Sequence, residues 1–475
     1  MIASAPHGDL AFLGLAEASR RLAEGGISAV DLTEAMLARI EALNPRLNAF
    51  LAVEADRARA AARESDARRA AGRARGPLDG IPIAVKDIVW RAGRPMTAGA
   101  KRPVVERAPE DATVVARLEA AGAIILGATG LHEFAYGVTS VNPHHGPVRN
   151  PWAIDRNPGG SSGGSGAAVA AGLAYGALGT DTGGSIRIPA SVCGIVGLKP
   201  TYGRVSRHGV FPLAWSLDHV GPMTRRVEDA ALLLEAIAGA DPADPTASRR
   251  PVPAYASRLG RSANPPLAGL RVGVPRGFFF DRAEPEVAGI VRAAIDRLAG
   301  LGAAVREVAL PKHEASVPAA LLVLLAEAAA VHARRLAEAP GDYGEDVRAR
   351  LEQGRLVPAS DYLAAQRARA VVRRELAEVL REVDCIATPT TPTTAGPLSE
   401  GASGPADAAR RAMTHFTRPF NLTGFPALSM PCGFTAEGLP VGLQLVGRPF
   451  EEGTLLAAAA PLEAALGLTA RRPTA

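Results

Sequence analysis

The sequence predicts an α/β protein, and three observations carry the prediction. Apolar runs of strand length alternate along the chain with longer segments of helical periodicity. Glycine and proline punctuate the joints between them. Hydrophobic residues make up 47% of the 475 residues but aromatics only 4%, so the core is expected to use small side chains that let elements approach closely.

Taken in order, Ser28 and Asp31 have capping-box spacing ahead of a helix whose Leu32, Met36, Ile40 and Leu43 share one face. Pro45 is expected to stop it. Residues 56–76 mix arginines with Asp56, Glu64 and Asp66 in an alanine-rich stretch, which reads as a solvated helix. "GIPIAVKD" (80–87) reads as a short strand with Ile81, Ile83 and Val85 on one face and Ala84 and Lys86 on the other. A helix from Asp111, a turn at Gly122 and a buried strand at 123–126 follow. "NPGGSSGGSGAAVAAG" (157–172) runs into a small-residue helix near 163–173. "GALGTDTGGSIRIP" reads as strand, glycine turn and helix, "CGIVGLKPT" as a strand, and 226–239 as an amphipathic helix. Residues 240–266, rich in Pro, Ala, Ser and Arg, read as a long surface excursion. Beyond it "GLRVGVP", "AAVREVAL" and "DCIATPT" read as strands among helices at 284–301, 315–337, 359–381 and 406–421. "FPALSMPCG" and "GLPVGLQLVG" read as two strands before a final helix. No repeat or shift of composition divides the chain. Residues 1–475 are therefore read as one domain: a helical part to about 75, a core at about 76–240, the excursion at 240–267, and an α/β remainder at 268–475.

Composition excludes several classes. The start of the chain has no basic region ahead of an apolar block, and no apolar run reaches membrane-span length. A cytoplasmic enzyme with no membrane partner is expected. Cys193, Cys385 and Cys432 are odd in number and widely spaced, which argues against a disulfide framework. The nine histidines include no H-x-x-x-H pair, so neither a metal nor another cofactor is expected. The net charge of +5 is spread over helix faces without aromatics to stack bases, which argues against a nucleic-acid partner. Only four of the 53 basic residues are lysines: Lys86, Lys101, Lys199 and Lys312. Arginine can replace a solvated lysine, but not one that must lose its proton.

The glycine- and serine-rich segment admits several readings. A linker would continue into polar sequence, and here an apolar helix follows. A phosphate loop would need a lysine that the segment lacks. Gly160, Ser162 and Gly164 do match the G-x-S-x-G elbow of an esterase with Ser162 as nucleophile, but a turn rather than a strand precedes them. The second glycine turn offers another nucleophile, Ser185 behind Gly183 and Gly184 at a helix start, where backbone N–H groups converge on an oxyanion. Lys86, at the end of an apolar strand, is a candidate base, because burial disfavours its ammonium form.

Together "GIPIAVKD", "NPGGSSGGSGAAVAAG", "LGTDTGGSIRIPASVCGIVGLKPTYGRVS", "SLDHVGPMTRRVEDAALLL" and the tail "FNLTGFPALSMPCG…GLPVGLQLVGRPFEEGTLL" resemble the amidase signature family of Ser–Ser–Lys hydrolases. The resemblance covers nearly the whole chain. It implies one large fold, a central twisted mixed β-sheet flanked by helices on both faces. It implies that Ser185 is the nucleophile, that Ser161 bridges after a cis peptide bond from Gly160, and that Lys86 is the base. The N–H groups of Thr182, Gly183, Gly184 and Ser185 would receive the oxyanion. Gly160 and Ser162 would support the site, and Asp181 and Arg187 would pair to brace the turn. The substrate would be a small-molecule amide, with carbamates (a urethanase activity) and esters as side reactions, and a homodimer is the family's habit.

The family also contains the A subunit of the tRNA-dependent glutamine amidotransferase. That protein usually has aspartate where this chain has His132, and again where it has Thr414 and the acid holds the glutamine amino group. These departures favour a stand-alone amide hydrolase. The pocket is expected from 132–142, 207–216, 315–330 and 413–420. Phe134, Tyr136, Phe211, Trp215 and Phe416 are its apolar candidates, suited to an uncharged aryl or alkyl amide.

Overall fold

The apolar runs pair into one 11-stranded mixed sheet. The computed structural model describes residues 10–259, 264–398 and 412–474. In chain order the strands are β1 (Phe50–Val53), β2 (Pro82–Lys86), β3 (Ile124–Thr129), β4 (Gly176–Asp181), β5 (Val196–Lys199) and β6 (His219–Thr224). They continue with β7 (Arg271–Pro275), β8 (Ala304–Val308), β9 (Cys385–Pro389), β10 (Ala427–Phe434) and β11 (Pro440–Gly447). Across the sheet they lie β1-β3-β2-β4-β6-β5-β10-β11-β9-β7-β8, with helices on both faces.

The β3-β2-β4 segment is parallel and buried along its whole length, which is why its sequences read as continuous apolar runs rather than alternating ones. Two strands are not evident from the sequence. β1 is four residues long and lies at the sheet edge. β6 carries Gly221 and Pro222, types depleted in strands, and is specified by pairing with β4 and β5. A short helix, Glu345–Gly354, is not evident from the sequence either.

Ser28 and Asp31 close the expected capping box. Pro45 does not stop that helix, which runs Ala29–Leu47 and ends at Asn48 in the left-handed conformation. The proline costs only one donor in the final turn. The expected helix over 406–421 is interrupted within the described residues. Its first residues lie outside the described ones, 413–417 form turns, and the helix there is Arg418–Thr423. Within the 240–266 excursion Tyr255 is buried and its hydroxyl donates to Glu452 (3.2 Å), so part of the excursion is tied to the core. Among the described residues one helix, His313–Glu338, is long and apolar enough to cross a membrane by length and composition, contrary to the sequence expectation. More than half of its apolar window is buried inside the fold.

Small residues decide where the central helix sits. Gly163–Ala170 is wholly buried. A Cβ added at Gly164 would stand 2.4 Å from the backbone nitrogen of Gly130, and one at Gly166 would stand 3.1 Å from Pro189 Cβ. Glycine at these positions lets the helix lie close against its neighbours, with the preceding serines near the ends of β2 and β4.

Candidate active site

Lys86 ends β2 and is fully buried. The adjacent parallel strand β4 is registered with Val85 opposite Leu178, so Lys86 extends toward Thr180. Its Nζ lies 2.8 Å from Ser161 Oγ, 2.9 Å from Ser162 Oγ and 2.7 Å from Thr180 Oγ1. Burial pulls the amine down to about 7, against the weaker opposing influence of Asp181 and Asp218. Proton accounting then constrains the cluster. The Ser162 hydroxyl donates to the Thr180 carbonyl (3.1 Å) and accepts from the Thr180 N–H (3.2 Å), so toward Lys86 it acts as an acceptor. A neutral lysine has two protons and one lone pair. With one proton given to Ser162, the lone pair is available for the Ser161 hydroxyl.

The Gly160–Ser161 peptide is cis. Ser162 donates its N–H to the Ser185 carbonyl (3.3 Å), which sets the serine pair beside Ser185. Ser185 is 7% exposed and faces a cavity. Among the described residues the link from Lys86 to Ser161 is a formed hydrogen bond, whereas none joins Ser161 to Ser185. Ser162, buried and engaged by Lys86 and Thr180, does not stand exposed on an esterase elbow.

Asp181 organises the turn that follows β4. Its carboxylate accepts from the N–H groups of Gly184 (2.7 Å), Ile186 (3.2 Å) and Arg187 (3.4 Å), and from the Arg187 guanidinium at Nη2 (2.9 Å) and Nε (3.0 Å). Burial alone would raise this acid, but Arg187, Lys199 and Asn421 outweigh burial and hold it well below the ordinary carboxylate range. Arg187 is itself fully buried and reaches the Thr417 carbonyl, Gln444 and Asn421. One expected donor is thereby corrected: the Gly184 N–H belongs to Asp181 and is not free for an oxyanion. Thr182, Gly183 and Ser185 line the cavity, and among the described residues no backbone acceptor claims their N–H groups.

Lys199 is the other buried lysine; Lys101 and Lys312 are exposed. Its Nζ donates to the Pro200 carbonyl (3.1 Å) and lies 3.2 Å from His219 Nε2. His219 Nδ1 sits 2.6 Å from the Leu217 carbonyl, which assigns the ring proton to Nδ1 and leaves Nε2 to accept. Burial holds both groups well below their ordinary values.

The cavity at Ser185 has a volume of about 250 Å³. Of the expected pocket aromatics only Tyr136 lines it. Phe211 and Trp215 line a neighbouring cavity that shares Ala135, Thr182 and Leu213 with it. Phe134 and Phe416 are corrections: both are fully buried in aromatic clusters, Phe134 against His332 and Tyr343, Phe416 against Phe279. Sequence reasoning misses Thr180, Arg350 and Arg418 as individual residues. Thr180 lies five residues before Ser185 on β4, and strand alternation is the available signal.

The family model described as Amidase matches residues 31–456. The glutamyl-tRNA(Gln) amidotransferase A subunit of Anaeromyxobacter sp. (strain K) is 48% identical over 98% of this chain and 98% of its own. A solved structure from a vestigial protein complex bearing on the origins of an s-triazine catabolic enzyme superposes with TM-score 0.90 at 38% identity, covering 98% of this chain and 100% of that one. The structure of the Thermotoga maritima glutamyl-tRNA(Gln) amidotransferase A subunit superposes with TM-score 0.79 at 36% identity, covering 95% of each chain. With its sheet, its buried lysine and its cis-linked serine in place, this chain belongs to the amidase family.

Proposed function

We propose that this chain cleaves the C–N bond of a carboxamide through an acyl-enzyme on Ser185. The observation that carries the reading is the buried Lys86, with its lone pair available to Ser161 beside Ser185. Neutral Lys86 takes the Ser161 proton as Ser161 takes that of Ser185. Ser185 Oγ bonds to the carbonyl carbon, and the oxyanion is received by the N–H groups of Thr182, Gly183 and Ser185. The C–N bond breaks as Ser161 returns a proton to the nitrogen, releasing ammonia or an amine. Water then repeats the sequence on the ester and frees the acid.

Two settings for this chemistry have support. The names of the curated relatives support the A subunit of a glutamyl-tRNA(Gln) amidotransferase, working with partner subunits, and they support it more strongly than a free-standing hydrolase. The free-standing reading rests on the cavity: Thr414 lines it, and among the described residues lining it there is no Asp or Glu to meet a glutamine ammonium group. Superposition also favours a solved structure described as an amidase (TM-score 0.86 at 39% identity) over the Thermotoga protein (0.79). The deciding experiment measures release of ammonia or of the amine by the purified chain from glutamine, alkyl amides, anilides and carbamates, with and without the other amidotransferase subunits. Glutamine turnover that appears only with partners establishes the amidotransferase role; turnover of other amides by the chain alone establishes the hydrolase. A chain inert toward all of them under both conditions overturns the amide reading.

A further inference from the structure

The cavity at Ser185 holds one charge that no described residue answers. Two guanidinium groups line it, Arg350 and Arg418. Arg350 is matched: its Nη2 lies 3.1 Å from Asp346, and its Nη1 donates to the Tyr136 carbonyl. His415, also in the wall, is pushed toward its neutral form by burial and by Arg418 and Arg282. Arg418 is different. Its Nε is buried without a hydrogen-bond partner among the described residues. No carboxylate lines the cavity among those residues, and the charges that act on the guanidinium are Tyr136 and Arg350. Burial lowers it to about 10, so it remains a cation at neutral pH. It also stands against the glycine turn: a Cβ at Gly183 would lie 3.5 Å from its Nε.

Arg418 is half-buried, and a guanidinium that faces a cavity with its Nε buried and unpaired and no anion beside it is unfavourable unless a ligand supplies one. Beside it the wall is apolar, with Leu321, Leu324 and Leu325 suited to a short methylene chain. We propose that the substrate is a small amide carrying a carboxylate, and that Arg418 anchors that carboxylate so that the amide carbonyl falls between Ser185 and the glycine turn. This rests on the amide-cleaving reading of the same cavity and names its substrate class. It replaces the sequence expectation of an uncharged aryl or alkyl amide. The fork of donors on arginine matches a carboxylate in a way that a lysine ammonium does not.

The test uses a dicarboxylate with no scissile bond. Glutarate is titrated calorimetrically into the full-length Ser185→Ala chain, with and without Arg418→Met. Binding is expected to weaken about 10- to 100-fold on loss of the guanidinium, with Arg418→Lys intermediate. In turnover, wild type is expected to favour glutaramate over pentanamide in kcat/KM, and Arg418→Met to abolish that preference through a higher KM for glutaramate. Equal glutarate binding with and without Arg418, or a wild-type enzyme that cleaves pentanamide as well as glutaramate, overturns the anchor. If Arg418→Met fails to fold, Arg418→Lys and the wild-type preference still decide. Glutarate binding that depends on Arg418 in a chain that turns over no amide, with or without the other amidotransferase subunits, supports the anchor and removes the amide-cleaving reading, so the two failures are distinguishable.

Discussion

Lys86 is the residue on which the chemistry turns, because its proton balance sets when the relay works. Below about 7 the ammonium form has no lone pair for Ser161. The proposed mechanism therefore predicts that kcat/KM rises about tenfold per pH unit up to about 7 and then levels, as a pH–rate profile on active-site-titrated enzyme will show. The stability effect has the same sign: the folded value lies below the 10.5 of an exposed lysine, so the burial cost is full below about 7 and is relieved as pH climbs toward 10.5. Lys86→Arg, which cannot deprotonate, is expected to fold yet lose about 10²- to 10⁴-fold in turnover, with circular dichroism verifying the fold. The scarcity of lysine makes this residue legible in the sequence. Nothing comparable marks Arg418, whose isolation depends on which side chains the rest of the cavity wall fails to supply.

At the scale of elements, the central helix and the turn after β4 act as a pair of clamps. Gly164→Ala places a methyl against the Gly130 backbone and is expected to cost about 1–3 kcal/mol, read as a lower Tm. Arg187→Met leaves the Asp181 carboxylate buried without its guanidinium and is expected to cost about 3–5 kcal/mol. Because Asp181 sits well below its ordinary 3.8, its contribution is present above that pH and is lost as pH falls through the folded value. Denaturant titrations of wild type and Arg187→Met at about pH 7 and about pH 3 will therefore differ less at the lower pH. The glycine-rich turns and the fully buried strands are readable from residue pattern. β6 is not, because its Gly221 and Pro222 speak against a strand until β4 and β5 flank it. Pro45 misleads for the converse reason: in a last helical turn it removes one donor and little else.

Across the whole molecule the three thiols, Cys193, Cys385 and Cys432, are free and buried, and burial raises each above the ordinary thiol range. An aromatic disulfide reagent is expected to react with all three only as the chain unfolds, so its rate in rising urea will follow the loss of helix signal. The positions of Lys86, Ser161 and Ser185 follow from motifs that lie within a single stretch, 80–187. The cavity draws on the four segments expected for the pocket, at 135–138, 213, 317–325 and 414–418, but also on 350–353, which no pattern in the sequence marks and only the completed fold brings to the wall.

That division has an evolutionary reading. The hydrolytic parts lie between Lys86 and Arg187, whereas the unanswered cation and much of the apolar wall come from the last third of the chain. Duplicated copies of such a gene can diverge in diet by exchanging a few wall positions while inheriting the bond-breaking engine intact. Shuffling the C-terminal third between relatives is a direct route to new specificities.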